Sequence, residues 1–310
     1  MVRPFRFGLQ LSRAEGPTEW RRLAQDAEAL GYSTLFIPDH FDDQFGPLVA
    51  LTAAAEATTT LRVGTLVLGN DYRHPVVVAK ELATLDVLSG GRLEVGLGAG
   101  WMTRDYDTAG IGLDPPRTRI ARMAESLEVV KGLWSGEPVT FAGEHYQVSG
   151  LVGTPRPVQR PHPPLLVGGG GRRVLSLAAR MADIVGVNPS LAAGAVGPEV
   201  IATATAEHYD ERVRWVRAAA GERADELELQ CLTFLVQVVA DRRAAVARLA
   251  DLFAVDPAVV DGSPVALVGT VEDLVATLSE RRSRFGFSYV VVHQAEMEAF
   301  APVVAALAGT

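Results

Sequence analysis

Short, nearly continuous apolar runs recur along the chain, and between them lie longer segments whose apolar residues return at helical spacing. The runs are FRFGLQL (5–11), STLFIP (33–38), LRVGTLVLG (61–69), RLEVGLG (92–98), PLLVG (164–168), DIVGVN (183–188), LELQCLTFLVQV (227–238) and FSYVVVH (287–293). A run without polar alternation predicts a strand covered on both faces, as in a parallel sheet. The intervening segments carry helix punctuation. In PTEWRRLAQDAEALG, Pro17 stands near the start and Gly31 at the stop, and Thr270 with Asp273 makes a capping-box start for 269–286. Further helices are predicted over 47–59, 75–89, 117–134, 172–182, 197–220, 241–253 and 296–308.

Eight strand–helix units close most simply into a (β/α)8 TIM barrel, an α/β fold that takes 1–310 as one domain. A doubly wound dinucleotide fold would put its glycine loop after the first strand, and GLQLSRAEG is no such loop. The rhythm breaks twice. After strand four, GEPVTFAGEHYQVSG alternates about Gly143 as a hairpin does, and TPRPVQRPHPP is too rich in proline for either element. Residues 136–163 therefore read as an excursion outside the sheet. After strand seven the return is long, which makes a second insertion.

Composition narrows the classes. With 48% hydrophobic residues in 310, the chain can bury a large core. Net charge is −8 with acids and bases mixed, and no basic run marks a nucleic-acid partner. No apolar run is long enough to cross a membrane, and MVRPFRFGLQ has no leader pattern, so a cytoplasmic setting is expected. Cys231 is the single cysteine, which excludes an internal disulfide and a Cys-rich zinc site; within LQCLTFLVQV it reads as a small core residue.

In a barrel, chemistry collects where strands end and βα loops begin. Those positions hold Gln10 and Ser12, Asp39 and His40, Gly69-Asn70-Asp71, Gly98 and Gly100 with Trp101, Arg104 and Tyr106, then Gly168 to Gly171 with Arg172 and Arg173, Asn188, and finally His293. Four consecutive glycines before a helix let backbone N–H groups approach an anion, and the helix dipole and two arginines add positive charge. This fits a phosphate; the alternative is a flexible turn. Gly69 is either a bulge on which a planar cofactor rests or an ordinary turn. Trp101 either walls a pocket or packs beneath a loop. Only His40 and His293 among the histidines sit at strand ends, no metal-binding spacing occurs, and no metal is expected. Asp39-His40 is an acid–imidazole pair near a phosphate-bearing flat ligand, or else a pair that caps a loop.

The pieces AEALGYSTLFIPDHF, LRVGTLVLGNDYRHPVVVAKELATLDVLSGGRLEVGLGAGW, PPLLVGGGGRRVLSLAARMADIVGVN and VGTVEDLVATLSERRSRFGFSYVVV, in this order, resemble the luciferase-like monooxygenase superfamily over nearly the whole chain. That resemblance implies a (β/α)8 barrel with insertions, using reduced FMN or the 5-deazaflavin coenzyme F-420. Within it, the chain is most similar to the F-420-dependent oxidoreductases. The likeness implies a non-prolyl cis peptide at Leu68, Gly69 and Asn70 backing the deazaflavin ring, and a coenzyme phosphate on Gly168, Gly169, Gly170 and Gly171. Gly100, Arg104 and Arg172 complete the coenzyme set. Asp39 and His40 lie beside the ring, with His40 as acid/base and Asp39 as its orienter or a coenzyme ligand. Gln10, Trp101, Asn188 and His293 line the substrate side. Sugar-phosphate dehydrogenases of this group carry a proton-donating glutamate where this chain has Trp101, and their phosphate-gripping Lys and Arg set has no clear counterpart, so an apolar or conjugated substrate is expected.

Hydride transfer to or from a small organic substrate follows as the expected activity. Two alternatives stay open: an FMN-dependent monooxygenase fed by a separate flavin reductase, and a barrel that binds a flavin without catalysis. Family likeness also makes a homodimer, and indirect supply by a flavin or F-420 reductase, expected partnerships.

Overall fold

The computed structural model describes residues 3–195 and 197–310. Eight strands form its centre: β1 (Arg6–Gln10), β2 (Thr34–Ile37), β3 (Arg62–Thr65), β4 (Leu93–Gly98), β5 (Leu165–Gly169), β6 (Ile184–Val187), β7 (Glu228–Leu232) and β8 (Phe287–His293). Their order is β3-β2-β1-β8-β7-β6-β5-β4, and every neighbouring pair is parallel. Pairing of Val63 with Leu93 and of Gly64 with Glu94 joins β3 to β4 and closes the (β/α)8 barrel. Outward-facing side chains of the strands and the inner faces of the helices share one large apolar cluster. A separate cluster of Phe36, Leu166, Ile184, Tyr289 and Val291 fills the barrel interior.

The interior is built in layers. At the N-terminal mouth Glu94, only 1% exposed, is hydrogen-bonded to Arg6, to Arg62 Nε at 2.7 Å and to the Tyr289 hydroxyl at 3.0 Å. Arg6 also reaches Glu228 through Nε at 2.8 Å and lies 3.7 Å above the Tyr289 ring. Above this polar plug sits Phe36. A Cβ on Gly8 would stand 2.8 Å from its ring and one on Gly64 2.6 Å, so two glycines on the flanking strands make its room. Both layers block that end, and the cavity opens only where the strands finish.

Three elements depart from the sequence reading, and the first is the helix expected over 197–220, which is two, Pro198–Ala202 and Ala206–Ala220, the second opened by Thr205 as its N-cap. The apolar run 227–238, expected as one strand, is two. After β7, Thr233 N–H and Oγ1–H both donate to Val291 O, and the N–H groups of Phe234 and Leu235 turn to Val265 O. Leu235–Val238 then pairs in parallel with Ala266–Gly269, outside the barrel. An apolar pattern reports burial but not partner, and twelve residues would outrun the neighbouring four- and seven-residue strands. The run 61–69 also breaks, into β3 and the short strand Leu68–Gly69.

The excursion between β4 and β5 contains the antiparallel hairpin Pro138–Ala142 and Gln147–Val152. Glu125 holds its tip by accepting the N–H groups of Glu144, His145 and Tyr146. Asp86, fully buried on the helix Pro75–Leu88, accepts Val158 N–H at 2.6 Å, Gln159 N–H at 3.0 Å and Gln159 Nε2–H at 2.7 Å. Cys231 is buried in β7, and burial pushes its thiol up to about 12. The helix 269–286 opens with the reciprocal Thr270–Asp273 capping box. No helix of the described residues is long and apolar enough to cross a membrane.

Replacing Asp86 with alanine strands three donors at once. Urea unfolding of Asp86→Ala is expected to show a loss of about 2 kcal/mol; a loss within error of zero would show that the excursion is held elsewhere.

Candidate functional site

A cavity of about 710 Å³ opens at the C-terminal ends of the strands. Its walls are set by how β2, β3 and β4 finish. Pro38 ends the β2 ladder by removing an N–H donor, and Asp39 and His40 follow. The Asp39 carboxylate, 6% exposed, accepts Gly69 N–H at 2.9 Å and both guanidinium nitrogens of Arg73, at 2.5 and 3.0 Å. It thereby ties the end of β2 to the chain after β3.

That chain contains a non-prolyl cis peptide between Leu66 and Val67. This corrects the position implied by family resemblance, Leu68 to Asn70, which lies just after it. Gln10 Nε2–H donates to Leu66 O at 3.0 Å from β1. On the other side β4 presents glycines: a Cβ on Gly96 would stand 2.1 Å from Thr65 O, and one on Gly98 2.5 Å from Val67. The bulge can settle there only because β4 has no side chains at those points. Leu68 and Asn70 are buried and stand outside the cavity lining, with Asn70 Nδ2 directed 3.4 Å from the Tyr146 hydroxyl, while Gly69 does line it.

His40 lines the cavity and its Nδ1 lies 2.6 Å from Asp105 Oδ2. Asp105 is 3% exposed and comes from a short helix, Thr103–Ala109, that follows β4. A carboxylate accepts only, so Nδ1 carries the proton and Nε2 is left for the cavity. The Tyr72 hydroxyl also points to Asp105 Oδ2, at 3.4 Å; burial, then the nearby Asp105 charge, raises its pKa and keeps it protonated. Trp101 meets the imidazole edge-on, with centroids 5.7 Å apart and planes at 89°. Gly100, at φ +77°, leaves no room for a side chain: a Cβ would fall 1.8 Å from the Tyr106 hydroxyl, which donates to Asp71 at 2.9 Å.

On the β5 side Gly168, Gly169, Gly170 and Gly171 all line the cavity. A Cβ on Gly170 would lie 2.1 Å from Pro189 O, whereas Gly171 faces open space. Gly171 is also the N-cap of helix Arg172–Met181, and no side chain caps it, so first-turn N–H groups remain for a ligand. Asn188 lines the cavity from the end of β6. Arg104 and Arg172 are exposed and outside the lining. His293 is outside it too, and burial lowers its pKa against the opposing pull of Glu296. Among the described residues no group of three or more His, Cys, Asp or Glu side chains could hold a metal ion.

The sequence reading missed Asp105, Tyr72 and Gln230. A seven-residue helix gives no periodic signal, so nothing marked Asp105 as different from its neighbours. Gln230 was detectable: it is a polar residue in the middle of the strand, two after Glu228 and on the same face.

The family model of luciferase-like monooxygenases matches residues 1–285. The chain belongs to this family. An FMNH(2)-dependent dimethylsulfone monooxygenase of Pseudomonas putida is 31% identical over 187 residues, covering 57% of this chain and 51% of that protein. An F420-dependent glucose-6-phosphate dehydrogenase of Nakamurella multipartita is 35% identical over 189 residues, 58% of this chain and 55% of that one. Each match thus spans about half of the relative's length. Among solved structures, the coenzyme F420-dependent tetrahydromethanopterin reductase of Methanopyrus kandleri superposes with a TM-score of 0.77 at 22% identity, covering 97% and 98% of the two chains. Long-chain alkane monooxygenase LadA does so with 0.79 at 16% identity, covering 99% and 92%. At those identities the likeness is one of fold.

The Asp39 bridge organises the cavity wall, so its removal is expected to weaken both fold and ligand binding. Asp39→Ala leaves the half-buried Arg73 charge and the Gly69 N–H without their acceptor. A stability loss of about 2 kcal/mol in urea titration is expected, and unchanged stability would place the organising contact elsewhere.

Proposed function

We propose that the protein is a coenzyme F-420-dependent oxidoreductase that moves a hydride between the deazaflavin and a small organic substrate. The supporting observation is the His40–Asp105 pair, a proton-handling group at 2.6 Å from a buried acid and facing a large cavity. The cavity suits such a coenzyme. The bulge at Leu66–Val67 with Gly98 offers a wall for a flat ring, the uncapped helix start at Gly171 offers N–H groups to a phosphate, and the buried Asn188 Oδ1 lacks a partner among the described residues.

When bound, the deazaflavin would supply two-electron hydride chemistry. The chain's own residues supply the rest. Trp101, Leu113, Ile120 and Phe234 give the cavity apolar surface for an apolar or conjugated substrate and exclude water. For an alcohol, His40 Nε2 accepts the hydroxyl proton as the hydride leaves carbon; for a carbonyl it returns that proton to oxygen. Asp105 fixes the imidazole tautomer and orientation, as a buried carboxylate does in other acid–base pairs. Asp39, already bound to Arg73 and Gly69, acts by holding the bulge rather than by exchanging protons. Arg104 and Arg172, exposed and outside the cavity lining, have no assigned role in holding the coenzyme.

A second reading, an FMN-dependent monooxygenase served by a separate flavin reductase, is favoured by the Pseudomonas putida relative. Titrating the protein with each coenzyme separates the two. F-420 binding with quenched fluorescence and no oxygen uptake is expected; preference for FMN with oxygen consumption would replace the first reading by the second.

With F-420 bound and a substrate identified, His40→Ala is expected to lower kcat by roughly a hundredfold or more. Asp105→Asn is expected to lower it by roughly tenfold, with thermal stability near wild type. Full turnover in His40→Ala would remove the imidazole from the mechanism.

A further inference from the structure

Gln230 has no task in the proposed mechanism. Gln230 on β7 lines the cavity, is 1% exposed, and neither its Oε1 nor its Nε2 has a hydrogen-bond partner among the described residues. Buried amides are almost always paired, and an orphaned one signals a missing ligand or water. Its register partner on β6 is Gly186. A Cβ there would stand 2.9 Å from Gln230 Oε1, so the glycine makes the room in which the carboxamide lies. Two residues further along the same face is Asn188, whose buried Oδ1 is also unpartnered. In the eight-strand ring β7 is four strands from β3 in either direction, so Gln230 faces the cavity from the wall opposite the Leu66–Val67 bulge.

We propose that Gln230 is a recognition residue for a cis-amide edge, the adjacent N–H and C=O of a lactam or imide. A primary carboxamide offers one donor and one acceptor side by side. A cis-amide satisfies both through two parallel hydrogen bonds. A ketone satisfies only Nε2, and an ionised carboxylate sets a lone pair against Oε1. Asn188 Oδ1 provides a further acceptor for a second N–H. Two ligands of the proposed site carry this chemistry: the pyrimidinedione ring of a flavin or deazaflavin, and a lactam substrate. The assignment rests on the oxidoreductase reading only in placing both in this cavity.

The test is calorimetric titration of the full chain and of Gln230→Met and Gln230→Leu with 2-piperidone and cyclohexanone, rings of one size that differ in the N–H. Each titration is run with and without F-420, or FMN if that is the coenzyme bound. Wild type is expected to prefer 2-piperidone by roughly tenfold or more, and both variants to bind the two rings alike. A preference that survives with coenzyme bound assigns the edge to the substrate. Blockage of 2-piperidone by coenzyme, with coenzyme affinity roughly tenfold weaker in the variants, assigns it to the coenzyme ring. No preference in wild type, or an unchanged preference in both variants, overturns the proposal. Melting temperatures supply an independent readout. Loss of an unpaired amide leaves the ligand-free protein as stable or more so, and a marked fall in both variants would show a protein partner for the carboxamide and equally overturn it. A retained lactam preference in a protein that binds neither F-420 nor FMN would sink the oxidoreductase reading and leave this one standing.

Discussion

The Asp39 carboxylate is the contact around which the catalytic face is arranged. The chain after β3 leaves the regular ladder, and its backbone polar groups need partners that the sheet does not supply. Asp39 takes Gly69 N–H and, through Arg73, fixes the following turn, while Gln10 donates to Leu66 O. Gln10 ends β1 and Asp39 follows β2, so the irregular segment is clamped from β1 and β2 and seated on the glycines of β4. His40 inherits its place from this arrangement, being the next residue after the clamp. Its partner Asp105 then arrives from the far side of the bulge, on the helix that follows β4.

Charge is distributed to suit one opening. At the closed end, Arg6, Arg62, Glu94 and Glu228 neutralise one another inside the barrel. Removing one partner of such a set would leave an uncompensated buried charge. At the open end, by contrast, several polar atoms face the cavity without a mate. Unpaired buried polar atoms in a cavity wall, here Asn188 Oδ1 and both polar atoms of the Gln230 side chain, are the pattern expected where ligand atoms complete the network.

The barrel itself was legible because both its covered strands and its helices leave strong local signatures. Asp39 and His40 were legible for the same reason: Pro38 marks the strand end, and polar residues there need explaining. What the sequence withheld was non-local. Nothing in RDYDTA distinguishes Asp105 as the acid that folds back on His40. The segment around Leu66–Val67 packs on glycines about thirty residues away on β4, and family resemblance alone misplaced its cis peptide. The break at Thr233 depends on Val291 in β8 and on Val265, just before the strand Ala266–Gly269, both distant in sequence. Arg104 and Arg172 looked suited to a phosphate by charge, yet their side chains run to solvent while the glycines beside them face inward.

The Phe36 ring joins three strands into a single packing decision. Gly8 lies on β1, Phe36 on β2 and Gly64 on β3, and the ring touches the space where either glycine would carry a side chain. A larger residue at position 8 or 64 is compatible only with a smaller one at 36, so substitutions at these sites are non-additive. Shrinking the ring alone clashes with nothing and opens space in the barrel interior, whereas enlarging either glycine requires the ring to shrink as well.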